Sequence, residues 1–208
     1  MALIYKIPGY ILCLMGGFFL SWGGYLIRRF EEADVWQILF WRALFFSLTL
    51  ILFLYLNYKK NTLSVIKKSG FSGLFAGIIM STSFVAYIVA MTETSVANVV
   101  FIISTQTIFL AIFGYLFLKE KISLKTLISI VLAIAGIAIM VGNPLLVGSM
   151  FGDLIALLIP INFAALIIII RKYPNVDLVP ALLYSGLIAC LYGYFASKTI
   201  VISLHDLY

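Results

Sequence analysis

The stretch QILFWRALFFSLTLILFLYL, residues 37–56, decides the fold class of this chain. An α-helix rises about 1.5 Å per residue, so about 20 apolar residues cross about 30 Å of hydrocarbon. The whole chain agrees with this stretch: 64% of its 208 residues are hydrophobic and 11% are charged. Soluble domains carry about 25% charged residues. We therefore predict an all-α polytopic membrane protein.

Six further apolar stretches have the length and composition of membrane spans, and proline or glycine marks several of their ends. Together they predict about seven transmembrane helices, at residues 9–27, 35–57, 70–91, 95–118, 123–141, 152–170 and 178–197.

The positive charges predict the orientation. The net charge is +6, but the lysines and arginines lie in short clusters between apolar runs, which favours anionic lipid over nucleic acid as the partner. The N-terminus and the loops after the second, fourth and sixth spans hold ten of them, and the other loops and the C-terminal tail hold three. Cytoplasmic loops are rich in lysine and arginine, so the N-terminus is predicted to be cytoplasmic.

An internal repeat appears when the chain is shifted by 143 residues, which places Gly9 on Gly152 and aligns RRFEEADV, residues 28–35, with RKYPNVDL, residues 171–178. The second copy starts five spans after the first, so it enters the membrane inverted. Inverted repeats are typical of secondary transporters. The expected domains are a five-helix repeat at residues 1–144 and the first two helices of an inverted second repeat at 145–208.

The run from residue 94 to residue 142 carries a family resemblance. A span ends at Leu118, followed by Glu120, Ile122 and Ser123, and the next span has a late glycine, Gly136. This pattern resembles the EamA branch of the drug/metabolite transporter superfamily. Members have ten spans in two inverted five-span repeats, so the resemblance implies that the last three spans are missing from this sequence. The chain also has Thr107 where the family often has proline.

The resemblance implies a secondary transporter, not an enzyme, that moves small metabolites such as amino acids, as an exporter or exchanger, across the cell (inner or plasma) membrane. The expected partners are a small-molecule substrate and membrane lipid, with a homodimer left open, and no cofactor or metal is expected. Two alternatives remain: a truncated fragment that does not transport, and a seven-helix receptor-type protein.

Arg42 is the central candidate for function, because a guanidinium inside a membrane span is costly and usually has a partner. One interpretation is structural, with hydrogen bonds to Ser81, Ser83, Gln106 or the backbone near Gly23. The other is a cation that attracts a substrate carboxylate. The structural interpretation is preferred from the sequence.

Other polar or aromatic residues at similar depths are candidates for the substrate site, although helix packing or anchoring at the membrane interface would also explain them. The full predicted set is Trp22, Arg42, Ser83, Tyr87, Asn98, Gln106 and Asn162. Structural roles are predicted for Gly73 and Gly77 in close helix packing, and for Glu120 and Gly136.

Carboxylates are absent from the middle of every predicted span, and the one histidine, His205, lies in the C-terminal tail. Proton-coupled carriers usually hold an ionisable group at depth. The visible spans therefore favour a uniporter or an exchanger.

Overall fold

A computed structural model describes residues 8–30, 32–141 and 149–201, and the predictions that fall on other residues, such as His205, lie outside this part of the chain. The described residues form eight α-helices: α1 (Gly9–Arg29), α2 (Val35–Tyr58), α3 (Thr62–Glu93), α4 (Val96–Ser104), α5 (Gln106–Leu118), α6 (Leu124–Val141), α7 (Met150–Lys172) and α8 (Val179–Ala196). A short 3₁₀ helix, Lys59–Asn61, joins α2 to α3.

Five described segments are long and apolar enough to cross a membrane, and one of them, Val35–Glu93, contains both α2 and α3. The apolar helix segment Leu124–Gly136 is shorter. Large apolar side chains such as Phe71 and Phe195 are about four-fifths exposed, as lipid-facing side chains are. The fold is thus all-helical with several membrane-capable helices, and the count of seven spans stays a prediction.

The helices depart from the predicted spans at three points. The span predicted from residue 70 is part of a longer helix that kinks at Gly70, where φ is +52° and favours glycine. The fourth span divides into α4 and α5 at Thr105, whose backbone N–H bonds to the carbonyl of Ile102, three residues back. Helix α7 begins two residues before the span predicted at 152–170, ends two residues after it and continues through Pro160.

Helix α3 lies at the centre of the bundle and packs against α7 and α8, while α2 packs against α8, and α4 and α5 pack against α7. The main core lies between these helices and is built from buried aliphatic side chains, among them Leu39, Ile88, Met91, Val99 and Ile102. Helix α1 contacts the bundle through Gly23 and Gly24, which lie against Tyr87 and Val96, and through Ile27, which is buried in the main core. The substrate-site candidates on α2 and α3 therefore lie in the interior.

Helices α2 and α8 run in opposite directions. A Cβ atom at Gly193 would lie 2.7 Å from the Phe40 nitrogen, and one at Gly186 would lie 3.0 Å from Cδ1 of Phe46, so residue numbers rise along α2 as they fall along α8. The same Cβ at Gly186 would lie 3.6 Å from the carbonyl oxygen of Ala43. The 143-residue offset maps Ala43 onto Gly186, so these two equivalent positions lie close together. The inverted repeat itself stays a prediction.

Side-chain contacts bring the predicted cytoplasmic loops to one end of the bundle. Tyr58, at the end of α2, hydrogen-bonds to Asp177, just before α8. Arg171, at the end of α7, pairs with Glu120, just after α5, at 2.7 Å. The lysine-rich turns after α2 and α5 and the basic end of α7 therefore share one end of the molecule.

Candidate functional site

The Arg42 guanidinium points into the bundle and stacks on an aromatic ring. Its Cζ lies 4.3 Å from the centre of the Tyr87 ring on α3 and 5.9 Å from that of Phe84. A cation over an aromatic face is stabilised by about 2 kcal/mol or more when water is excluded. The hydroxyl oxygen of Tyr87 would lie 3.3 Å from a Cβ at Gly23, so this residue also contacts α1.

The hydrogen bonds expected for Arg42 are absent from the described residues, which corrects the sequence prediction. Nη1 of Arg42 and Oγ of Ser83 are both buried without a hydrogen-bond partner. The Ser81 hydroxyl, another expected partner, donates instead to the carbonyl of Ile78 on its own helix at 2.7 Å. Arg42 is therefore held by ring contact, and donors in the plane of its guanidinium remain unused.

A cavity of about 340 Å³ lies beside Arg42, between α1 and α2. Small-molecule sites usually occupy about 300–1,000 Å³ and combine apolar walls with a few polar groups. Arg42 is the one charged residue on this wall, whose described lining residues are Gly23, Leu26, Ile27, Phe30, Ala33, Ile38, Trp41, Arg42 and Phe45.

The structure brings together only part of the predicted substrate set. Arg42 meets Tyr87, and Ser83 lies one turn from Tyr87 on the same face of α3. Trp22 is 52% exposed on α1, next to Tyr25 at 6.4 Å between ring centres. Gln106 is half-buried at the start of α5. Of the predicted substrate set, Arg42 alone belongs to the described lining of the cavity beside it.

Asn162 belongs to a different part of the bundle, where its side-chain amide donates to the Thr82 hydroxyl at 2.7 Å. Thr82 lines a second cavity of about 590 Å³, together with residues of α2, α3, α7 and α8 such as Trp36 and Tyr192. Asn162 therefore joins α7 to α3 beside this second cavity.

Asn98 takes part in a network that the sequence did not reveal. Asp153, in the first turn of α7, is 5% exposed, and its carboxylate accepts from Thr94 Oγ1 at 2.7 Å and from Asn98 Nδ2 at 3.2 Å. The sequence places Asp153 at a span edge, which is where it lies, but its burial depends on α3 and α4. The available signal was a carboxylate in the first helical turn, four residues after Ser149, whose residue type commonly caps helices.

The predicted structural residues have close neighbours. A Cβ at Gly77 would lie 2.6 Å from Cβ of Tyr184 and 3.0 Å from the Ala181 carbonyl, so α3 approaches α8 closely there. A Cβ at Gly73 would lie 3.5 Å from the Tyr184 ring, and one at Gly136 would lie 3.7 Å from the Phe101 ring. Glu120 forms the ion pair with Arg171, although both side chains are about half exposed.

Comparison with known proteins gives one match. The family model described as the EamA-like transporter family matches residues 7–142, which is more than half of the chain and contains α1 to α6. Neither the curated proteins nor the solved structures contain a match to the chain.

Proposed function

The chain belongs to the EamA-like transporter family, and from this premise we propose that it is a secondary transporter, an exporter or exchanger, of small metabolites such as amino acids. Membership of this family makes it an integral membrane protein of the drug/metabolite transporter type. The family is one of transporters and not of enzymes. This membership also argues against the receptor-type alternative.

The observation that carries the proposal is the cationic group inside the bundle. Arg42 lies beside a cavity of small-molecule size, with a buried nitrogen that has no hydrogen-bond partner among the described residues. An arginine that only tied helices together would use its donors for that purpose, because an unpaired buried polar group costs about 1–3 kcal/mol. We therefore place the substrate site at Arg42 and Tyr87, with Ser83 beside them.

The membrane and orientation are part of the same proposal. We place the protein in the cell membrane with the lysine-rich end of the bundle in the cytoplasm. Support comes from the contacts that bring the basic loops to one end, Tyr58 with Asp177 and Arg171 with Glu120. Cytoplasmic loops carry an excess of lysine and arginine.

Flux through liposomes tests the proposed function. Purified protein is reconstituted, the liposomes are loaded with a panel of labelled amino acids and small organic acids, and efflux is measured with and without unlabelled solute outside. We expect efflux of at least one solute above that of protein-free liposomes, and faster efflux with external solute if the protein is an exchanger. A folded, reconstituted protein that moves none of the panel would favour the non-transporting fragment.

A further inference from the structure

We propose that the Arg42 site selects a small monocarboxylate with an apolar body, whose carboxylate is bound by the Arg42 guanidinium and the Ser83 hydroxyl. This inference rests on the proposed function and narrows its substrate class from small metabolites in general to acids without an ammonium group, which excludes the amino acids. It depends on three features of the described residues: two buried polar atoms without partners, the stacked ring, and the composition of the cavity wall.

The Tyr87 ring covers the face of the Arg42 guanidinium and leaves its edge, which carries the N–H donors, uncovered. Tyr87 contacts the face of the guanidinium, with 4.3 Å from Cζ to the ring centre, while the five N–H donors of a guanidinium point outward in its plane. One of the nitrogens, Nη1, is buried without a partner. Such a planar edge matches the two oxygens of a carboxylate, which it binds through parallel hydrogen bonds.

Ser83 is a second buried donor, on the face of α3 that carries Tyr87, although it is not among the described residues that line the cavity. Its side chain is 6% exposed and its Oγ has no hydrogen-bond partner among the described residues, although serines in membrane helices commonly bond to their own helix backbone. Ser81, one half-turn away, does so. Ser83 is four residues before Tyr87, so the two share a face of α3, and Tyr87 is the ring on which Arg42 stacks.

The cavity wall sets the charge and the shape of the ligand. One positive charge in an apolar wall balances one negative charge, whereas a phosphate monoester carries about 1.5–2 negative charges at neutral pH. The described lining residues include no Asp or Glu to pair with an ammonium group. Leucine, isoleucine, phenylalanine and tryptophan side chains form most of the wall, so the rest of the ligand is apolar and small enough for about 340 Å³.

The test measures binding of three molecules with one branched carbon skeleton to the purified full chain in detergent by titration calorimetry. Isocaproate carries the carboxylate alone, isocaproamide carries no charge, and free leucine carries an added ammonium group. We expect isocaproate to bind at least about tenfold more tightly than the other two, because hydrogen bonds to charged groups are the stronger ones. Inorganic phosphate is the fourth probe and should bind more weakly than isocaproate.

Two serines on one helix provide a matched pair of variants. Ser83→Ala should weaken isocaproate binding about fivefold, since a donor to the carboxylate is lost, and leave isocaproamide binding unchanged. Ser81→Ala should leave both affinities unchanged, because that hydroxyl is already bonded to Ile78. Arg42→Lys keeps the charge but loses the planar edge, so isocaproate should lose its advantage over isocaproamide. Gel filtration and circular dichroism establish that each variant is folded. If Arg42→Lys does not fold, the difference in isocaproate affinity between Ser83→Ala and Ser81→Ala tests the proposal.

Four results would overturn the inference: no binding of isocaproate by folded protein, equal affinity for the acid and its amide, tighter binding of phosphate or leucine, or equal effects of the two serine substitutions. Each of these leaves the proposed function standing if the liposomes release another metabolite. If the protein binds isocaproate selectively but the liposomes release no solute, the transport function is overturned, whereas the inference that the site binds a small apolar monocarboxylate stands.

Discussion

Arg42 and Asp153 each place an ionisable group inside an apolar helix bundle, and their surroundings differ. Asp153 has two donors from neighbouring helices, Thr94 and Asn98, within 3.2 Å of one oxygen. Arg42 stacks on an aromatic ring and has a nitrogen without a hydrogen-bond partner in the part of the chain that the structure describes. A carboxylate with its hydrogen bonds satisfied fastens helices together, whereas a guanidinium with free donors is available to a ligand. We therefore assign Asp153 a structural role and keep the proposed binding role for Arg42.

Replacing Asp153 by alanine should destabilise the bundle by about 1–3 kcal/mol, because the Thr94 hydroxyl and the Asn98 amide then lose their shared acceptor in a buried place. Asp153→Asn keeps one oxygen that can accept from Thr94 and should cost less. Thermal unfolding in detergent measures both. The control is Glu93→Ala, on an exposed neighbour, which should stay within about 0.5 kcal/mol of the parent. Equal melting temperatures for the alanine variants would contradict the fastening role of Asp153.

The environment of Arg42 shows where reasoning from sequence stops at the residue scale. Its depth in the span follows from its position, and Ser81 and Ser83 are the nearest polar groups by depth. The rotation of α2 against α3 decides that the guanidinium meets the Tyr87 ring, and no local pattern encodes that rotation. Burial of Asp153 likewise depends on how α3 and α4 cover the start of α7.

At the scale of helices, most boundaries could be predicted because apolar length and punctuation determine them. Helices α2, α7 and α8 end within about two residues of the predicted spans. The division of the fourth span could not be predicted, since Thr105 has no helix-breaking chemistry and its i−3 backbone bond depends on the local winding. Glycine pairs behave similarly: the spacing of Gly73 and Gly77 predicts close packing, but the partner helix, α8, emerges only in the fold.

Gly193→Ala should separate α8 from α2. The added Cβ would lie 2.7–2.9 Å from three atoms of Phe40, two of them backbone atoms that cannot rotate away. Overpacking of this kind typically costs about 1–3 kcal/mol. Gly17→Ala on α1 meets nothing within 4 Å and should be neutral or stabilising by up to about 1 kcal/mol, because alanine favours the helix.

Thermal unfolding of the two glycine variants side by side checks this packing. If Gly17→Ala melts at the lower temperature, the close α2–α8 crossing is wrong. Equal destabilisation would mean that helix propensity, and not the crossing, governs both positions.

At the scale of the whole molecule, the alternation of helix directions places different charged residues at the two ends of the bundle. One end carries the lysine-rich turns after α2 and α5, and the other carries Asp34, Glu93 and the buried Asp153. This separation of charge accords with the orientation that the sequence predicts. Counting lysine and arginine residues in the sequence shows which loops are basic. The packing of α2 with α8, and of α7 with α3 to α5, brings those basic loops together in space.

Cysteine labelling of sealed cells tests the orientation. In a background without Cys13 and Cys190, single cysteines replace Asn61, between α2 and α3, and Ala196, at the end of α8; both positions are exposed. An impermeant maleimide should label position 196 in intact cells and position 61 only after the cells are opened. Labelling of position 61 alone in intact cells would show the reverse orientation.

The contact between Ala43 and Gly186 has a consequence for the history of the chain. If the two halves arose by duplication of one gene, both positions descend from a single ancestral codon, and in the earliest duplicate each faced an identical copy of itself. Before the two copies were joined in one chain, any mutation that enlarged this residue would have changed both copies at once, and the larger residue would have met itself at this contact. Joining the copies lifted that restriction, because each half could then change alone and a bulky residue in one half could face a glycine in the other, as Phe40 faces Gly193 elsewhere along the same pair of helices.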